Sequence, residues 1–145
     1  MGGATKSEEV VQRIMKMQDR CVCVRGNREN YIIEGMPLVV HDEKMRVSTE
    51  QLQRNEYIKK QLTESSINYI KQLPKEMYCN IDGKKIYIVH YPMNDNGELK
   101  KHIKKATLSE NKEMFKNINA DIYLYGHTHE KNYNSDERNI YINPG

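Results

Sequence analysis

Three short blocks of the sequence carry side chains that could do chemistry: Val24-Arg25-Gly26-Asn27, Val89-His90, and Tyr125-Gly126-His127-Thr128-His129. Each follows a run of β-favouring residues. In an open α/β sheet ligands sit beyond the carboxyl ends of strands, where loops converge on a rigid support. Neutral imidazoles with an amide oxygen suit borderline divalent ions such as Mn²⁺, Fe²⁺, Zn²⁺ or Ni²⁺, and suit Ca²⁺ poorly because it takes oxygen alone. His127 and His129 stand in a loop and not on a helix face, so the pair can serve two neighbouring ions, and a dinuclear centre is the expectation. Taken singly, each block has a plainer reading. A strand-end histidine such as His90 is more often structural than a ligand, and Gly-Asn is often only a turn, because both residues tolerate left-handed backbone. The conjunction of three strand ends in one order is what points to metal.

The elements that must position these blocks read as alternating helix and strand. Residues 7–16 place Val10, Val11, Ile14 and Met15 on one helical face, with Ser7 as N-cap and Glu8 and Glu9 in the first turn. Cys21-Val22-Cys23-Val24 is a β-favouring run that stops at Gly26. No clean period runs through residues 28–53, which read as irregular with room for one short helix. Thr63 caps a helix whose Ile67, Ile70 and Lys71 recur at helical spacing until Leu73-Pro74 ends it. Residues 78–81 and 84–89, joined by Asp82-Gly83, predict a hairpin, since Asp-Gly accepts the positive φ angles of a two-residue turn. A helix near residues 109–117 with Ser109 as cap, a strand at 121–125 and a last strand near 140–142 complete the order. The sequence holds no repeat, low-complexity tract or linker.

With 145 residues the chain is long enough for one domain with a real core, and not for two domains. Hydrophobic residues are 37% and charged residues 30%, and the mean hydropathy is −0.87, polar for a compact domain but short of a disordered composition. A net charge of +3 is too small to be an electrostatic footprint for nucleic acid. No apolar run approaches the roughly 20 residues needed to cross a bilayer, and the first ten residues lack the apolar core of a signal peptide, so a cytoplasmic protein with no membrane partner is expected. Three cysteines are an odd number, which favours reduced thiols over a disulfide framework and gives no sign of redox chemistry. Cys21 and Cys23 fall on one side of their run and read as small core residues. His41 and His102 read as solvated surface residues. So does the lysine-rich stretch 100–105, although it could help attract an anionic substrate. Nothing indicates an oligomeric state.

The ordered set Gly26-Asn27, His90, Gly126-His127-Thr128-His129 and Asn143-Pro144-Gly145 resembles the calcineurin-like metallophosphoesterase superfamily, closest in style to its small bacterial single-domain phosphodiesterases. The resemblance spans residues 8–145. It implies an α/β fold, a four-layer αββα sandwich of mixed sheets flanked by helices with a dinuclear site at their carboxyl edge. Residues 1–145 would form a single incomplete domain of that kind, missing its N-terminal strands. Carried over by position, Asn27, His90 and His127 would bind the second metal and His129 the first. The implied ion is a divalent transition metal, manganese foremost, with Fe²⁺, Ni²⁺ or Zn²⁺ as alternatives, and two ions in the complete site. The implied activity is hydrolysis of a phosphodiester or small phosphate ester, by attack of a metal-bound hydroxide while both ions stabilise charge on the phosphoryl oxygens. The partner is then a small phosphoester substrate, met by loops at residues 34–50 and 91–101.

Two departures qualify this. The family opens with one strand ending in Asp-x-His and another ending in Gly-Asp, and neither motif occurs before Asn27. The upstream acids Glu8, Glu9 and Asp19 lie in or just after a predicted helix and are no substitutes. Met1-Gly2-Gly3 resembles the loop that follows Gly-Asp, and Asn143-Pro144-Gly145 stops where the family continues, so a chain cut at both ends is expected. Unpaired edges such as residues 21–25 would then make it poorly soluble. Half the ligand set being absent, a non-catalytic metal- or phosphate-binding module, a pseudoenzyme, stands as the alternative. The second departure is Arg28, where many members have a histidine that assists the leaving group. Arginine keeps its proton near neutrality and cannot act as a general acid, so its expected role is to clamp phosphate. Glu29 follows where the family also has an acid.

Overall fold

Side-chain caps at Ser48 and Thr63 set the starts of two helices in the first half of the chain. A computed structural model describes residues 6–17, 19–37, 39–40, 43–44 and 47–145. They fall into two compact units, Met1–Pro74 and Lys75–Gly145. His41 and the Met1-Gly2-Gly3 segment lie outside the described residues.

The first unit holds α1 (Ser7–Lys16), α2 (Asn27–Glu34), an antiparallel pair of two-residue strands β1 (Val39–Val40) and β2 (Glu43–Lys44), α3 (Thr49–Gln61) and α4 (Glu64–Gln72). Its core is Val11, Ile32, Ile58, Leu62 and Ile70. The first helix has the predicted bounds, but Ser7 is its first helical residue, buried, and not its cap; Lys6 flanks it without a side-chain cap. In α4 the predicted cap is present: the Thr63 hydroxyl accepts the Ser66 N–H at 3.3 Å. Glu8 adds a tie from α1, its carboxylate accepting the Thr63 N–H at 3.0 Å and hydroxyl at 2.9 Å.

Further expectations fail in this unit. Residues 21–24 belong to no strand, because a β-favouring run needs a ladder partner and no described residue pairs with them. Cys21 and Cys23 are half-buried, with sulfurs 3.7 Å apart, and stand outside the buried core. Residues 28–53, read as mostly irregular, contain most of α2 and the start of α3. Each of these helices buries a single residue, Ile32 and Ile58 respectively, so no apolar period was there to find. The start of α3 is set instead by a capping box, in which Ser48 N–H donates to Gln51 Oε1 at 2.9 Å and Gln51 N–H to Ser48 Oγ at 3.2 Å.

The second unit is a mixed five-stranded sheet with one helix. The hairpin of β3 (Glu76–Ile81) and β4 (Lys84–Val89) turns through Asp82 at φ 48° and Gly83 at φ 77°, as predicted. Helix α5 (Leu108–Met114) precedes β5 (Ile122–Leu124), β6 (Asn132–Ser135) and β7 (Ile140–Asn143). The order is β3-β4-β5-β7-β6, with β4, β5 and β7 parallel and an antiparallel strand on each edge. The chain thus has the predicted α/β class with a mixed sheet; the other sheet among the described residues is the short β1–β2 ladder. The cap of α5 is Thr107, two residues before the predicted Ser109, because Thr107 forms a capping box with Glu110. Strand β6 was not predicted. Its Asn-rich sequence has no β signal of its own, and it pairs with the open edge of β7 while Asn132 and Asn134 donate to the Ala106 carbonyl at 2.9 and 2.7 Å.

Register is what positions the site. Tyr87, Tyr123 and Tyr141 stand level on the three parallel strands and pack with Phe115 in one aromatic core. Ile88, Leu124 and Ile142 are likewise level. His90, Gly126-His127 and Asn143-Pro144 therefore leave the sheet from the same carboxyl edge. Among the described residues no helix is long and apolar enough to cross a membrane.

Candidate metal centre

Parallel pairing of β4 with β5 fixes the first feature of the site. The Gly126 N–H donates to the His90 carbonyl at 2.9 Å, continuing the ladder beyond the strand ends, and the Tyr125 N–H donates to the Ile142 carbonyl at 3.0 Å. The chain then turns sharply at His127. The Thr128 N–H closes back on the Gly126 carbonyl at 2.9 Å around His127 at φ 71°, the positive-φ form of the γ-turn, the rarer and more strained one. His129 is also at positive φ, 55°. Strain of this kind persists only where the surroundings hold it. Here Asn143 does so: buried at 2% exposure, it donates from Nδ2 to the Gly126 carbonyl at 3.1 Å and to the Thr128 hydroxyl at 3.0 Å, while its Oδ1 accepts the Gly145 N–H at 3.1 Å.

The turn brings His127 Nδ1 to 3.0 Å from His90 Nε2, with the rings near perpendicular. Tyr91, fully buried, packs on His127 at a ring separation of 5.4 Å, and His102 lies closer still at 4.1 Å. Burial lowers the His127 pKa from 6.5 to about 4, and the charges of His102, His90 and His129 push it the same way. The ring is therefore a neutral imidazole near pH 7, which is the form that ligates metal.

The two nitrogens stand within hydrogen-bond distance, one ring donating to the other. An ion would replace that bond: two imidazole nitrogens cis on one six-coordinate first-row ion, each about 2.1 Å from it, also stand about 3 Å apart. His90 through Nε2 and His127 through Nδ1 would hold that ion. His129 is exposed on the same turn, near enough for its charge to act on His127. Asn27 and Arg28 belong to the first unit, as the first two residues of α2; Asn27 is half-buried and Arg28 exposed. Gly26 precedes them as N-cap, and Glu29 reaches back to accept its N–H at 3.1 Å. Among the described residues no group of three or more His, Cys, Asp or Glu side chains converges as a metal-binding set.

The sequence model of the calcineurin-like phosphoesterase superfamily domain matches residues 2–145. The chain belongs to the calcineurin-like phosphoesterase superfamily. That superfamily generally uses divalent metal ions. No curated protein matches the chain. Among solved structures it is similar to a hypothetical protein of Pyrococcus horikoshii OT3, with a TM-score of 0.77 and 14% identity over 100% of this chain and 60% of that one. It is also similar to a metallophosphoesterase from Sphaerobacter thermophilus, with a TM-score of 0.63 and 21% identity over 95% of this chain and 59% of that one. At these identities the likeness is one of fold. The chain spans about three fifths of the length of the structures it matches.

Residues the sequence did not mark also belong to this site. His102, read as a solvated residue, is exposed but packs on His127; it sits in a lysine-rich loop without period, and no sequence signal points to it. Tyr91 follows His90 directly, so its place at the same strand end was readable. Its hydroxyl contacts with residues 101 and 103 were not.

Proposed function

We propose that the chain carries part of a divalent-metal-dependent phosphoesterase site, whose substrate is a phosphodiester or small phosphate ester. The observation that carries this reading is the His90–His127 pair, two nitrogens 3.0 Å apart at one carboxyl sheet edge in a chain of this superfamily. The ligands proposed are Asn27, His90 and His127 for one ion and His129 for a second, with manganese the first candidate. Such ions, when bound, activate water for attack on phosphorus and stabilise charge on the phosphoryl oxygens. The chain's own contribution is to hold His127 neutral and fixed in its turn, and to offer the exposed Arg28 guanidinium for a phosphate group.

A specific observation also supports the second reading, a non-catalytic metal- or phosphate-binding module. Glu8, one of the acidic residues before Asn27, accepts hydrogen bonds from Thr63 and Gln12 within the first unit. Glu9 pairs with Lys6 at 3.4 Å. Turnover separates the readings. Hydrolysis of an aryl phosphodiester in excess Mn²⁺, abolished by His127→Ala, supports the enzyme. Mn²⁺ binding without turnover leaves the module.

A further inference from the structure

His102 stands 4.1 Å from His127, ring centre to ring centre, on a loop that approaches the sheet edge from another part of the chain. An exposed histidine on a polar loop has no reason of its own to stay there, because ordering a side chain costs rotamer freedom. The reason lies in Tyr91. Its side chain is fully buried, and its hydroxyl accepts the Ile103 N–H at 2.9 Å and reaches the Lys101 carbonyl at 3.4 Å. The two backbone groups flanking His102 are thus tied to the residue that follows His90. The Tyr91 ring also meets the His102 ring edge-on at 5.4 Å. Further back the loop is closed by the Met93–Leu99 bridge and by the Lys100 N–H donating to the Pro92 carbonyl at 2.8 Å. Lys100 Nζ donates to the Met114 carbonyl at 2.7 Å and anchors the loop on the end of α5.

We infer that His102 is a positioning residue for His127: its ring, held by Tyr91, packs on the His127 imidazole and keeps it turned toward His90. Three aromatic neighbours, His90, Tyr91 and His102, then leave the His127 ring little room to rotate. A ligand ring fixed before the ion arrives loses no rotamer freedom on binding, and residues that orient metal ligands commonly raise affinity by about ten- to a hundredfold. The inference rests on the reading of His90 and His127 as ligands, and it concerns packing, so an aromatic side chain without ring nitrogens should replace His102.

The test uses the full chain with His102→Ala and His102→Phe. Mn²⁺ affinity, followed by the free-ion electron paramagnetic resonance signal, is expected to fall about tenfold in the alanine variant and to stay within about twofold in the phenylalanine variant. Long-range ¹H–¹⁵N spectra of the metal-free chain supply a readout that needs no ion. The His127 ring protons should lose their ring-current shifts in His102→Ala and keep them in His102→Phe. If the unsubstituted chain binds no Mn²⁺ the ligand reading fails, whereas unchanged His127 ring resonances in His102→Ala overturn the positioning role itself. Equal loss of affinity in both variants would overturn it too, since packing would then not be what His102 supplies.

Discussion

His90 Nε2 stands 3.0 Å from His127 Nδ1, although 37 residues separate them along the chain. The contact follows from strand register and not from loop chance. Parallel pairing sets Ile88 beside Leu124, two residues before His90 and Gly126, and the backbone bond from Gly126 to His90 carries the pairing out to the site.

Acid should weaken the fold through His127. Its pKa falls from 6.5 to about 4 on folding, so between those values the unfolded chain binds more protons and stability rises with pH. The contribution is complete above 6.5 and is lost as pH falls through about 4. Melting temperature should drop between pH 7.5 and pH 5, and drop less in His127→Gln. An equal drop in both would place the acid sensitivity elsewhere.

Asn143 should matter as much as the histidines it does not touch. Asn143→Ala removes two hydrogen bonds that brace the strained turn, to the Gly126 carbonyl and the Thr128 hydroxyl, and a third to the Gly145 N–H. A loss of about 2 kcal/mol in urea unfolding is expected. Mn²⁺ affinity should fall as well, on the order of tenfold, because the turn that presents His127 relaxes. Normal affinity in a folded Asn143→Ala variant would show that the turn holds itself.

Thr63 links two helices, and removing it separates capping from core packing. Thr63→Ala deletes the acceptor for the Ser66 N–H and one of the two hydrogen bonds that Thr63 donates to Glu8. The expected cost is about 1 kcal/mol by denaturant unfolding.

Legibility from sequence tracked the range of the interactions involved. The Asp82-Gly83 hairpin, the Thr63 cap and the strand before His127 depend on neighbours a few residues away, and all three stand where the residues predicted them. The strand expected at Cys21–Val24 needed a ladder partner, which no local pattern supplies, and β6 formed on Asn residues because β7 offered an edge. At the site, the sequence marked His90 and His127 by their places at strand ends, and the structure brings them together. His102 escaped because Tyr91 holds it through two backbone groups, and backbone bonding leaves no trace in residue type. Asn143 was visible only as part of a resemblance, while its work on the Gly126-His127-Thr128 turn belongs to the folded chain.

The central claim is that His90 and His127 together hold a divalent transition-metal ion, and a Mn²⁺ titration of the full chain tests it most directly. The free-ion resonance signal is read for the unsubstituted chain, His90→Ala and His127→Ala. Saturable binding that both substitutions abolish, or weaken at least tenfold, is the predicted result. Absence of saturable binding, or binding that survives both substitutions unchanged, would contradict it.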